Sequence, residues 1–111
     1  MKELELTSFQ LITNAGGARS KCFEAINKAK EGDFDQAIAF IKEGENFFLL
    51  AHEAHRHLIQ KEANGDQIVM TLLLSHAEDQ LMNAELTKEI ALEFIAVHQR
   101  IKKLEEAILP K

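Results

Sequence analysis

One seam in the last third of the chain restricts its fold more than any other feature. Stepping by three and four, it runs Val69, Leu73, His76, Gln80, Asn83, Thr87, Ile90, Phe94, Val97, Ile101, Leu104, Ile108. An unbroken heptad seam of this length belongs to a helix packed against other helices. Its far end is all apolar. Its middle is not: His76, Gln80, Asn83 and Thr87 hold four successive positions. A core seam that turns polar and then apolar again breaks the burial rule locally, as functional and specificity-determining sites do.

The rest of the chain agrees with an all-α reading. No period-2 strand pattern occurs, and the single proline is Pro110, at the far end. The 111 residues suffice for one domain, 1–111, with one core. A net charge of −5 leaves no basic footprint, so nucleic acid is not an expected partner. The lone Cys22 excludes an intrachain disulfide and fits a reducing compartment. No basic segment followed by an apolar run marks a signal peptide, and no stretch of about 18 apolar residues could span a bilayer. The expected location is the cytoplasm, without membrane insertion.

In order, the first helix is expected to begin near Thr7 or Ser8, both good N-caps. Its stripe is Leu11, Ile12, Ala15, Ala18, Cys22, Ala25, Ile26, Ala29, mostly small residues. Gly16-Gly17 interrupts it and marks either close helix packing, a kink, or approach of something to the backbone. Arg19 shares the Gly16 face and could pair with an anion or a carboxylate. Gly32 and Asp33 read as helix stop and helix cap, with Gln36 completing a capping box. A second helix is predicted from Phe34 to Ala63, ended by Asn64-Gly65-Asp66. A third starts within a few residues of Asp66 and continues to about Leu109. The short connections make an antiparallel three-helix bundle, up-down-up. The third helix carries a second flank, Leu72, Asp79, Met82 and Leu86, with one charge in it. A heptad seam with a second flank suits a helix that packs within its subunit and across a symmetric interface. A homo-oligomer is expected, a trimer being one option; the pattern does not fix the number.

His76 is the candidate nucleophile. Imidazole titrates near neutrality, and a neutral ring nitrogen can accept a phosphoryl group. Gln80 lies one turn on along the same face, Asp79 flanks it, and Asn83 and Thr87 continue a strip of hydrogen-bonding groups. Glu78, about 160° round the helix, is expected to face solvent. Asp79 on a buried flank needs a partner: Arg19 within the subunit, or, where copies meet across a symmetry axis, a proton or a hard cation such as Mg²⁺. His52 and His55, three apart, could hold a transition metal, but no further ligand completes that set. Solvated or half-buried rings are the simpler reading for them, and for His57; His98 is expected at the surface.

At these residues the chain resembles a known family, the IIA component of the lactose/cellobiose (chitobiose) class of the bacterial sugar phosphotransferase system. That family carries His-x-Gln-Asp-His-Leu-Met on its last helix; here it reads His76-Ala77-Glu78-Asp79-Gln80-Leu81-Met82. Its Gly-x-Ala-Arg-Ser stretch is matched by Gly16-Gly17-Ala18-Arg19-Ser20, its first turn by Lys30-Glu31-Gly32-Asp33-Phe34, and its second helix by Ala51-His52 onward to Glu62-Ala63-Asn64-Gly65. The resemblance implies a homotrimer of three-helix subunits. It implies that His76 accepts a phosphoryl group from the histidine-containing phosphocarrier protein and passes it to a IIB component for disaccharide uptake. It also implies that three copies of Asp79 meet on the three-fold axis and hold a divalent metal, Mg²⁺ by ligand chemistry. Two positions depart from the pattern. Glu78 replaces Gln, adding a charge. Gln80 replaces a second His, so that position can contact phosphate but cannot titrate.

Three other classes remain open on sequence, one of them a His/carboxylate metal protein with a transition metal on His52 and His55. A histidine phosphotransfer domain of a signalling relay also uses a helical His, usually on a four-helix monomer. A non-catalytic helical interaction module would need neither His76 nor a partner kinase.

Overall fold

Three helices make up the structure, a computed structural model describing residues 2–109: α1 Lys2–Lys30, α2 Phe34–Ala63 and α3 Leu72–Ile108. Pro110 lies outside the described residues. The molecule is a rod of 66 × 20 × 18 Å. α1 is its spine. Both other helices pack along α1, whereas α2 and α3 touch each other little. The bundle is therefore three-helical and up-down-up as expected, but open along its α2–α3 side.

Small residues recur every seven positions on the buried faces: Ala15, Cys22 and Ala29 on α1, Ala37, Gly44 and Ala51 on α2, Ala77, Ala84 and Ala91 on α3. This spacing keeps short side chains at each helix crossing, so the backbones can approach closely. Leu11, Phe48, Leu58, Leu74, Leu81 and Ile95 fill the layers between. Cys22 is part of this packing, and burial pushes its thiol pKa up.

Both turns are glycine-made. Gly32 has φ +83°, and the Gly32 and Asp33 N–H groups donate back to Ala29 and Lys28 at 3.0 Å each. Gly65 has φ +99°, and the Gly65 and Asp66 N–H groups donate to Glu62 and Lys61 at 3.1 Å each. This pair of bonds is the Schellman arrangement, which needs a left-handed residue at its centre. Asp33 caps α2 by accepting from the Gln36 N–H at 3.2 Å.

Three expectations are corrected. α1 begins at Lys2, not at Thr7 or Ser8. Both hydroxyls are buried inside the helix and donate back to the Glu3 and Leu4 carbonyls at 2.9 and 2.8 Å, the alternative use of Ser and Thr in helices. α3 begins six residues after Asp66. The chain runs without regular structure to Thr71, whose side chain accepts from the Leu74 N–H at 3.0 Å and is the true cap. The third correction concerns the seam. The buried stripe of α3 is Leu74, Ala77, Leu81, Ala84, Ala91 and Ile95, beside the expected one. From Ile90 onward the expected seam is exposed within the subunit.

Candidate functional site

The Thr71 cap starts α3 one turn before His76. The Ser75 N–H donates to the Thr71 carbonyl at 3.0 Å and the Leu74 N–H to its hydroxyl, while the amides of Leu72 and Leu73 have no helical carbonyl behind them. His76 therefore sits in the second turn, near the positive end of the α3 dipole, with its Cα–Cβ bond tilted towards that end. Its side chain is exposed and forms no hydrogen bond among the described residues. Gln80 is half-buried one turn along the same face. Asn83 and Thr87 continue the strip, the Thr87 hydroxyl donating to the Asn83 carbonyl at 2.8 Å. His76 is thus an exposed imidazole in the second turn of α3, with Gln80 one turn further along the same face.

Asp79 is exposed, not on a buried flank of the subunit. Its described contact is weak, 3.5 Å from the Asn83 amide nitrogen. It stands in an apolar surround: Leu72 is 88% exposed, Met82 65% and Leu86 54%. Ile90, Phe94, Val97, Ile101, Leu104 and Ile108 extend the exposed apolar surface to the end of α3. Arg19 does not reach Asp79. Lys102, donating to the Gly32 carbonyl at 3.3 Å, sets α3 along α1 in a register that puts Arg19 further along the rod. At 1.5 Å per residue the offset is roughly 15 Å. Arg19 instead lies over the Phe23 ring at 5.7 Å.

Glu78 was expected in solvent and is instead half-buried. Its Oε1 accepts from His55 Nε2–H at 2.9 Å, joining α3 to α2; a carboxylate only accepts, so the ring nitrogen is the donor. His52 Nε2 lies 3.3 Å from Glu85 Oε1, within ion-pair distance. Each member of the candidate His52–His55 pair is thus turned to a different carboxylate, and among the described residues no group of three potential ligands surrounds either. His57 approaches Glu3 at 3.4 Å, beside Lys61 at 2.8 Å. These bonds, the Lys61 one foremost, hold the Glu3 carboxyl below its ordinary range. His98 is half-buried and stacked on Phe94. Sequence reasoning missed the His55–Glu78 contact. The signal was the second turn: an antiparallel return through Asn64 and Gly65 brings His55 level with Glu78.

The family model for the lactose/cellobiose-specific IIA subunit of the phosphotransferase system (PTS) matches residues 6–99. The chain is 38% identical over 99 residues to a PTS lactose-specific EIIA component of Staphylococcus aureus (strain N315), covering 89% of this chain and 96% of that one. It is 40% identical over 100 residues to a lichenan-specific phosphotransferase enzyme IIA component of Bacillus subtilis (strain 168), covering 90% and 91%. The fold is similar to the crystal structure of a PTS cellobiose-specific enzyme IIA from Bacillus anthracis, with TM-score 0.90, 39% identity and coverage of 93% and 94%. It is also similar to IIA(chitobiose) in solution structures of its complex with HPr, with TM-score 0.79, 33% identity and coverage of 89% and 96%. With a matching family model over most of its length, and relatives this similar over nine-tenths of it, the chain belongs to the lactose/cellobiose-specific IIA subunit family of the phosphotransferase system.

Proposed function

We propose that this chain is a IIA phosphocarrier that takes a phosphoryl group on a ring nitrogen of His76 from the histidine phosphocarrier protein, HPr, and gives it to a IIB component. The observation that carries this is the exposed, unbonded His76 imidazole at the start of α3, in a family of phosphotransferase components. A solved relative of the same fold is described in complex with HPr. The bond between the carrier's phosphorus and nitrogen breaks as the bond to the His76 nitrogen forms, and the His76 N–P bond then breaks as a bond from phosphorus to the IIB acceptor forms. Little covalent help is needed, since phosphoryl transfer is governed by positioning and electrostatics. Gln80, the Leu72 and Leu73 amides and the helix dipole supply donors for phosphate oxygens. An exposed site suits a residue that two different proteins must reach in turn. Among the described residues no helix is long and apolar enough to cross a membrane. The cytoplasm is the compartment this reading requires.

The exposed stripe of α3 supports assembly. A contiguous apolar surface the length of a helix is unusual on a monomer and calls for a cover. Copies of the same stripe meeting around an axis would provide it, and a homotrimer would bring three Asp79 carboxylates together. Such a cluster of oxygen donors fits a hard divalent cation, with Mg²⁺ the ion its chemistry favours. The ion would neutralise Asp79 charge that otherwise repels.

The test is a relay. Phosphoenolpyruvate, enzyme I and HPr should place an acid-labile phosphate on this chain, and adding a IIB component should remove it. A chain that stays unmodified beside fully phosphorylated HPr would overturn the reading.

A further inference from the structure

The join between α2 and α3 is made mainly by polar side chains. Lys88 reaches Glu45 at 3.4 Å, His52 reaches Glu85 at 3.3 Å and His55 reaches Glu78 at 2.9 Å. These ties are not equivalent. The His52–Glu85 side chains are 54% and 46% exposed, whereas those of His55 and Glu78 are 29% and 34% exposed. The shortest and least solvated of the three is also the one beside the proposed phosphoryl acceptor.

Glu78 follows His76 by two residues, so it projects from nearly the opposite flank of α3. A bond from α2 to Glu78 restrains rotation of α3 about its own axis. It acts alongside Leu74 and Leu81, which are buried in the core on the turns to either side. The residue between His76 and Glu78, Ala77, is buried with only a methyl group, and a methyl offers weak resistance to rotation. At a helix radius of about 5–6 Å, a rotation of ~10° moves a side chain by about 1 Å. A displacement of that size at a reacting group slows transfer strongly.

We propose that His55 is a positioning residue: through Glu78 it fixes the rotational setting of the first turns of α3, and so the direction in which His76 presents its ring to the phosphoryl donor. Neither His55 nor Glu78 touches the phosphoryl group. The proposal rests on the phosphocarrier reading above and adds to it a second helix that controls the site.

The experiment measures transfer from phosphorylated HPr at varied HPr concentration, giving kcat and KM. The proteins are wild type, His55→Ala, Glu78→Ala, the double variant, the His55→Gln/Glu78→Gln pair, and Glu85→Ala as a control on the neighbouring tie. His55→Ala and Glu78→Ala should each lower kcat about tenfold with KM little changed. The double variant should be no slower than either single one, because they remove the same restraint. Two glutamines can hydrogen-bond to each other and should restore most of the rate. Glu85→Ala should transfer at the wild-type rate. Unchanged kcat in the two single variants, additive losses, or a rise in KM alone would overturn the proposal. Wild-type protein that accepts no phosphoryl group would overturn the phosphocarrier reading instead. His76 ring-proton chemical shifts would then decide the positioning claim: they must move in His55→Ala and stay in Glu85→Ala.

Discussion

Gly16 and Gly17 are neighbours in α1 with opposite surroundings. A methyl group built on Gly17 would meet the Phe47 ring of α2 at 2.7 Å, while one on Gly16 meets nothing within 4 Å. Close packing thus accounts for one glycine and not for the other. Gly16→Ala should stabilise the subunit by up to about 1 kcal/mol through helix propensity alone. Gly17→Ala should destabilise it, since the ring must leave its seat. Thermal unfolding of the two variants checks this, and a loss of stability in Gly16→Ala would mean that another surface rests on that face. Glu3 belongs to the same scale. Its carboxyl is held low by Lys61 first and His57 second. A depressed carboxylate adds stability that is fully present above its ordinary pKa and is lost as pH falls through the lowered value. Melting temperatures of wild type and Lys61→Met should therefore differ near neutrality and converge as pH drops below about 4. A constant difference across the range would contradict this.

At the level of helices, the sequence was most legible where glycine forced an answer. Gly32 with Asp33, and Asn64 with Gly65, bound α2 at the residues expected, because a left-handed turn leaves few alternatives. The starts of α1 and α3 were less legible for a shared reason: side chains that cap a helix can also sit inside one or in an extended run. Thr7 and Ser8 bond backwards, and Asp66 precedes a non-helical link instead of a helix. The seam of α3 was displaced by size. Helices packed this closely take alanine at their contacts, so the large residues Ile90, Phe94 and Val97 are left outside. A reading that equates large apolar residues with the core selects the outer face. The same reading left the Glu78 contact with His55 unseen. The Thr71 cap is the simplest element to test. Thr71→Ala should cost about 1 kcal/mol and increase hydrogen exchange in the first turn of α3, whose amides are proposed to bind the phosphoryl group. Unaltered exchange there would show that packing of Leu74 alone holds the turn.

The whole molecule is an open bundle with one long apolar surface left over. Its α1 spine and small-residue contacts explain the subunit; they leave the outer stripe of α3 without a role inside it. Native mass at micromolar concentration should show a trimer for wild type, and Leu86→Glu, on the stripe but away from the core, should dissociate it into folded monomers. A monomeric wild type would remove both the trimer and the shared Asp79 site. The central claim concerns His76, and intact mass spectrometry tests it most directly. Wild type and His76→Gln would each be incubated with phosphoenolpyruvate, enzyme I and HPr. The account predicts one acid-labile phosphate per chain on wild type and none on a folded His76→Gln variant; a phosphate retained by that variant would contradict it.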